Sequence, residues 1–248
     1  MKKNFLFGIL FILAVLCISV LSATANDQIR VAINPDAKPF KYLDEDGKFA
    51  GIDAEVMNAI AESEGLDVEY VEMSFEDILD AVANCEVDAA ISAITVTPER
   101  SSLVTFSEPY VMGMQSVFVR LKNDGLADIS DPAIKVIGAK AGTTAERNAR
   151  AIAEMFNNEV KVYADYESLF QALESDEIDA AIADELLVKQ TVDSIGDIMS
   201  LGQAISAETY AIAVCPSNTD LVTKINKGLN TYRRSGKLDE IVLENLMK

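Results

Sequence analysis

The chain has 248 residues, 50% hydrophobic and 25% charged, with 40 acidic side chains against 21 basic ones and a formal net charge of −19. This is globular composition rather than that of a disordered chain, and the acidity argues against a nucleic-acid partner, because neutralising phosphates needs clustered Lys and Arg. Histidine is absent, which removes Ser-His-Asp and Cys-His triads, histidine-bearing zinc sites and any imidazole relay.

Lys2 and Lys3 precede an apolar run from Phe5 to Leu21, and Ala23-Thr24-Ala25 supplies a small-x-small site. Residues 1–25 therefore read as a secretory signal peptide, cleaved after Ala25. The alternative is an anchoring helix, since about 17 apolar residues just span a bilayer, but no basic stop-transfer cluster follows. Cys17 follows the bulky Leu16, where a lipoprotein signal wants a small residue. A mature chain from Asn26 loses Lys2 and Lys3 and no acid, so its charge deepens from −19 to −21. Only Cys85 and Cys215 then remain, in an oxidising compartment, either paired with each other or as two buried thiols. Neither sits in a CxxC motif, and no metal or other cofactor is implied.

Ile29, Val31 and Ile33 alternate as a first strand. From Gly51 the period becomes helical through Ile52, Val56, Ala59 and Ile60, with Gly65 as a stop. Leu66, Val68 and Tyr70 alternate again, Phe75–Ala83 reads as a helix, and Val87 to Ser92 as a short apolar strand. Strands and helices in this order imply a mostly parallel sheet covered by helices. An offset of about 91 residues then repeats the last part: Glu86-Val87-Asp88-Ala89-Ala90-Ile91 becomes Glu177-Ile178-Asp179-Ala180-Ala181-Ile182, and Phe75, Ile78, Leu79, Ala81 and Val82 become Tyr166, Leu169, Phe170, Ala172 and Leu173. The second unit starts with a strand at Ile134–Gly138 and a helix near Ala145–Phe156. The expected fold class is α/β, two similar lobes facing each other, with ligand-binding residues just after the parallel strands.

After the first repeat strand, Thr97 is placed as an N-cap and Pro98 as the first residue of a short helix carrying Arg100. With the Ser92 and Thr95 hydroxyls this makes either a carboxylate receptor or an ordinary capped surface helix with a solvated Arg. In the second lobe Gly142-Thr143-Thr144-Ala145-Glu146 fits a capping box at another anion-friendly helix start. Asp184 and Glu185 follow the second repeat strand. The lobes thus differ in sign, and an α-amino acid zwitterion matches: carboxylate on Arg100, ammonium on Asp184. A catalytic carboxylate pair is the competing idea, without an identifiable acid–base partner.

Pro39-Phe40, Gly51-Ile52-Asp53-Ala54-Glu55, Phe75 to Leu79, Val87 to Arg100, Phe106-Ser107-Glu108-Pro109-Tyr110, Gly142-Thr143-Thr144, Asp179 to Asp184 and Tyr210 to Val214 stand in an order and spacing that resembles the polar amino-acid-binding proteins of bacterial ABC importers, the type II periplasmic solute-binding proteins of family 3. The resemblance implies that Arg100 clamps the ligand α-carboxylate with Thr95, Thr144 and the backbone around Gly142 and Thr143. Asp184 and the Ser92–Ala93 region would hold the α-amino group. Phe75 would form an aromatic wall and Lys140 would face the distal end, with Asn34 and Phe40 completing the set. Ala37 stands where many members carry a stacking aromatic.

The family topology further implies lobe 1 from 26–109 and 213–248, lobe 2 from 115–207, and hinge strands at 110–114 and 208–212. It sets a returning strand Tyr210–Val214 antiparallel beside Val87–Ser92, which pairs Cys85 with Cys215 as a disulfide. The tail reads as a helix with Leu221, Ile225, Leu229 and Tyr232 on one face. The implied function is an exported, periplasmic or extracytoplasmic, monomeric, non-enzymatic binding protein that captures a polar L-amino acid by hinge closure and delivers it to an ABC transporter membrane permease. The alternatives are an exported cyclohexadienyl dehydratase-like lyase using Asp184 or Glu185 as acid, and a ligand-sensing domain.

Overall fold

The computed structural model describes residues 27–123 and 125–247. The signal-peptide reading, with its cleavage after Ala25 and its Cys17, lies outside the described residues.

The chain begins with β1 (Asp27–Ile33), then a small antiparallel sheet of β2 (Asp36–Ala37), β3 (Lys41–Leu43) and β4 (Phe49–Ala50). Helix α1 (Ile52–Glu64) starts at Gly51, whose φ of 98° only glycine adopts readily and where a Cβ would lie 2.5 Å from the Phe40 carbonyl oxygen. It stops at Gly65 in the left-handed conformation, whose N–H returns to the Ala61 carbonyl. β5 (Leu66–Glu72) then pairs parallel with β1 along its whole length. Helix α2 (Phe75–Ala83) is capped by Ser74, whose hydroxyl accepts from Asp77 N–H.

The strand expected over Val87 to Ser92 is shorter: β6 spans Ala89–Ala90. The ladder ends because Ala93 takes φ 49° and turns the chain out of the sheet, with its N–H donating to the Tyr110 hydroxyl at 3.1 Å. Helix α3 (Pro98–Ser101) and β7 (Thr105–Phe106) lead into β8 (Val111–Arg120).

β9 occupies Val136–Lys140, two residues beyond the expected Ile134–Gly138, because Ile134 is taken by a turn in which its N–H reaches Asp131 O at 3.0 Å. The shift makes Lys140 the last residue of the strand. Helix α4 (Thr144–Phe156), β10 (Glu159–Tyr163), α5 (Tyr166–Glu174) and β11 (Ala180–Asp184) follow, then α6 (Glu185–Ile195) and β12 (Ile198–Tyr210). β13 (Ala213–Val214), α7 (Thr219–Ser235) and α8 (Lys237–Leu246) close the chain.

Two five-stranded sheets result, ordered β5-β1-β6-β13-β7 and β10-β9-β11-β8-β12. Each holds three parallel strands in the same order, second–first–third, flanked by antiparallel strands. The 91-residue repeat is therefore structural: Ala89-Ala90 and Ala180-Ala181 occupy equivalent strands. In the first sheet Val31 and Ile91 face Ile60 of α1 and Ile225 and Leu229 of α7, while Ala32 and Ala90 face Ile78 and Val82 of α2. In the second, Ala181 and Ala183 face Leu169 and Phe170 of α5, while Ala180 and Ile182 face Ala145 and Ala149 of α4. Both sheets are buried on both faces, the usual condition of parallel strands. In α7, Leu221, Ile225 and Leu229 are buried and Tyr232 packs partly against them.

The chain crosses between the sheets twice. The crossings pair with each other, Tyr210 opposite Val111 and Glu208 opposite Gly113, and continue through Ser107 N–H to Ile212 O at 2.9 Å. β13 lies antiparallel to β6, Val214 opposite Ala89. That register brings Cys215 to Cys85, and the two form a disulfide with Cα atoms 5.1 Å apart across 130 residues of sequence.

A crosslink over so long a loop removes about 4–5 kcal/mol of chain entropy from the unfolded state in the entropic account. Titration of the unfolded, unreduced mature chain is expected to find no free thiol. The Cys85→Ser/Cys215→Ser variant is expected to lose about 2–5 kcal/mol of stability in denaturant unfolding.

Candidate functional site

The carboxyl ends of the parallel strands in both sheets point into one cleft, and at one end of it the two sides present opposite charges, Arg100 and Asp184. On the first side Arg100 sits on the one-turn helix α3, where Thr97 Oγ1 accepts from Arg100 N–H at 3.1 Å. The residue is only 8% exposed. Nη1 donates to Thr95 O at 2.9 Å, and Nη2 donates across the cleft to Gly142 O at 3.0 Å. Burial lowers its pKa, yet an arginine stays charged at any physiological pH.

On the opposite side Gly142, at φ 71°, approaches Glu76 of α2 so closely that a Cβ would lie 3.0 Å from Glu76 Cγ. Thr143 caps α4 by accepting from Glu146 N–H at 3.2 Å. The capping box expected from the sequence is altered: the Glu146 carboxylate accepts from Gly142 N–H at 2.9 Å, one residue before the cap. Thr144 Oγ1 accepts from Gln115 Nε2 at 2.5 Å and donates to Glu208 Oε2 at 3.0 Å, tying the helix start to the two crossing strands.

Asp184 ends β11 and opens α6 without capping it by its side chain. It is buried, and its Oδ1 has no hydrogen-bond partner. Burial and the nearby Glu208 raise its pKa to about 7. A buried acceptor without a partner costs about 1–3 kcal/mol. The hydroxyl of Tyr210, on the crossing strand β12, is buried beside Asp184 and outside ideal hydrogen-bond geometry. A buried carboxylate of this kind, beside a cation supplied by the facing lobe, suits an incoming ammonium group.

The distal end is formed by residues from both sides. Lys140 Nζ donates to Asn34 Oδ1 at 2.7 Å and pairs with Asp36. Lys41 Nζ pairs with the other oxygen of Asp36 at 2.7 Å. Although burial pushes the Asp36 carboxyl upward, Lys41 and Lys140 outweigh it and hold its pKa below the usual value. Phe75 lies in the middle, its ring centroid 5.7 Å from the Arg100 guanidinium carbon and 5.1 Å from Lys140 Nζ, within the range of cation–π attraction.

Phe75, Ser92, Ala93, Thr95, Arg100, Lys140, Thr143, Thr144 and Asp184, all singled out from the sequence, line one enclosed space with Lys41, Tyr166 and Leu187. The room left among them is about 10 Å³, that of about one water molecule. Gly142 joins through its carbonyl on Arg100 and Asn34 through Lys140. Phe40 does not line this space: it is fully buried, edge-on to the Tyr210 ring at 5.7 Å. Glu185 also stands apart, accepting from the Ser116 hydroxyl.

Sequence reasoning missed Lys41, Asp36, Gln115, Glu208 and Tyr210. The first two flank the Pro39-Phe40 motif without a periodicity of their own, and the last three lie on crossing strands whose partners are far away in sequence. It also gave Asp53 no role. Asp53 is fully buried, its Oδ1 accepts from the Tyr110 hydroxyl at 2.7 Å, and that hydroxyl accepts from Ala93 N–H. This chain fixes the turn that presents Ser92 and Ala93. Among the described residues no group of three or more Cys, Asp or Glu is placed to hold a metal ion.

Residues 29–246 match the model of the bacterial extracellular solute-binding proteins, family 3. The probable histidine-binding protein of Campylobacter jejuni is 29% identical over 217 residues, 86% of this chain and 83% of that protein. The arginine-binding extracellular protein ArtP of Bacillus subtilis is 25% identical over 222 residues, covering 89% of this chain and 86% of its own length. Among solved structures, an ancestral arginine-binding protein bound to arginine superimposes with a TM-score of 0.82 at 31% identity, over 88% of this chain and 97% of that one. With a family match spanning both sheets and the cleft between them, the chain belongs to family 3 of the bacterial extracellular solute-binding proteins.

Proposed function

We propose that this protein captures an L-α-amino acid between its two lobes and hands it to the membrane permease of an ABC transporter. The observation that carries the reading is the pairing of a buried guanidinium from one lobe, Arg100, with a buried and partly unpartnered carboxylate from the other, Asp184, around one enclosed space. The α-carboxylate takes the Arg100 fork and the free N–H groups at the start of α4, where the helix dipole favours an anion. The α-ammonium takes Asp184 Oδ1, and the Ser92–Ala93 turn lies beside it.

Residues 26–109 and 213–248 form one lobe, 115–207 the other, and 110–114 with 208–212 the hinge. In this reading the Arg100–Gly142 and Lys140–Asn34 bonds belong to a closed arrangement whose space of about 10 Å³ widens to admit the ligand, and the ligand stabilises closure by adding its own contacts to both lobes. The protein is exported by a signal peptide cleaved after Ala25 and works outside the cytoplasm as a monomeric, non-catalytic receptor. Relatives named for histidine and arginine support the α-amino acid class.

Calorimetric titration with the proteinogenic L-amino acids is the direct test, and binding of none of them would remove the reading. Removing one member of a buried charge pair typically costs about 2–5 kcal/mol. Arg100→Ala is therefore expected to weaken the best ligand by roughly 30-fold or more, with the fold intact by circular dichroism; an unchanged affinity contradicts the assignment.

Affinity should also depend on pH with a defined sign. In the free protein the Asp184 carboxyl, raised by burial and then by Glu208, titrates at about 7. An ammonium ligand needs it ionised, so binding releases a proton below that pH. Affinity is expected to fall by up to about tenfold per pH unit as the pH drops below 7. Asp184→Asn should weaken binding and flatten this profile.

A further inference from the structure

The distal wall holds two buried lysines with more N–H donors than the protein's own acceptors use. Lys41 and Lys140 are each 1% exposed, and they share a single carboxylate, Asp36, one ammonium on each of its oxygens. The remaining partner is neutral: Asn34 offers Lys140 its amide oxygen at 2.7 Å. An ammonium carries three donors, so the two lysines present six, and the bonds to Asp36 and Asn34 use three. Two aromatic faces lie beside the lysines, Phe75 at 5.5 Å from Lys41 Nζ and 5.1 Å from Lys140 Nζ, and Tyr166 at 4.9 Å from Lys140 Nζ. Ring faces attract cations but accept no strong hydrogen bond. Burial and then the nearby Lys41 lower the Lys140 pKa to about 7, against the opposing pull of Asp36 and Asp165.

Unused donors on two buried ammonium groups define what fits; Asp53 near Lys41 and Asp165 near Lys140 add negative charge around them but make no direct ion pair with either. A second guanidinium or ammonium brought to this wall meets donors where it needs acceptors. An oxygen acceptor, carboxamide or carboxylate, satisfies the idle N–H groups. Lys140 comes from the second lobe and Lys41, Asp36 and Asn34 from the first, so this wall exists only when the lobes are together.

We infer that the ligand's side chain ends in an oxygen acceptor, a carboxylate or a carboxamide, held by Lys140 and Lys41, and that cationic amino acids are rejected. The inference deepens the proposed function and rests on it, making Lys140 and Asn34 specificity-determining residues of that site.

The test is calorimetric titration of the mature protein with L-glutamate, L-aspartate, L-glutamine, L-asparagine, L-arginine, L-lysine and L-alanine. At least one oxygen-ended ligand is expected to bind tenfold or more tightly than arginine and lysine; a glutamate optimum identifies the carboxylate, a glutamine optimum the carboxamide. Lys140→Met is expected to erase at least tenfold of that preference while changing L-alanine, which shares only the α-groups, much less. Asn34→Asp places a compensating carboxylate beside Lys140 and covers the case in which Lys140→Met does not fold; it should shift the ratio toward arginine. Arginine or lysine binding most tightly, or a preference unmoved by both variants, overturns the inference. If arginine wins and its binding still collapses in Arg100→Ala, the amino-acid-binding reading stands and only the specificity falls. If none of the panel binds, the inference is overturned; if no proteinogenic L-amino acid binds, both readings fall.

Discussion

A guanidinium and a carboxylate, each buried at the carboxyl end of a different parallel sheet, set the electrostatics on which the rest of this molecule is arranged. Neither is neutralised by an ion partner on its own side. Arg100 gives two of its five donors to the Thr95 and Gly142 carbonyls, and Asp184 leaves one oxygen without a donor. Charges out of water are tolerated only where something compensates them. Here the compensation is divided between the lobes, so it is complete only when they meet, and more complete with a zwitterion between them. Binding and closure thereby become one event, because the same contacts serve both.

Around that pair the protein invests in positioning. Asp53 holds the Tyr110 hydroxyl, which receives the Ala93 N–H, and Ala93 is bent to a positive φ that carries the chain from the sheet into the cleft. On the other side Gln115 and Glu208, from the two crossing strands, both bond Thr144, while Asn148 reaches Gln115 at 2.8 Å. The helix start that faces the ligand is therefore tied directly to the strands that join the lobes. Phe40 belongs to this supporting layer, since it packs on Tyr210 and leaves the wetted surface to others. The disulfide does the same work at the end of the first sheet's strands away from the cleft, pinning the returning strand to the turn after α2.

Much of this was legible in the residues. Periodicity placed α1, α2 and α4, because amphipathic faces with glycine or hydroxyl caps are local properties. The internal repeat announced two units of one topology, and both sheets carry the same second–first–third order of parallel strands. The position after each strand pointed to Arg100, Thr144 and Asp184. Two strand boundaries slipped for reasons outside the local pattern: β6 ends early at the Ala93 turn, and β9 starts late because Ile134 is apolar yet serves a turn. Burial without a ladder looks the same as burial within one when only hydrophobicity is read.

The sequence by itself determined the elements, the duplication, the sign of charge at each strand end and, through the absent histidine, the chemistry excluded. These follow from local periodicity and composition. Tertiary structure alone decided that Lys140 meets Asn34 and Asp36 from across the cleft, that Lys41 shares the same carboxylate, and that Glu208 and Gln115 converge on Thr144. Those neighbours are separated by up to about a hundred residues and join through two crossings between sheets. Their electrostatics depends on burial and distance, which no local pattern of residues encodes.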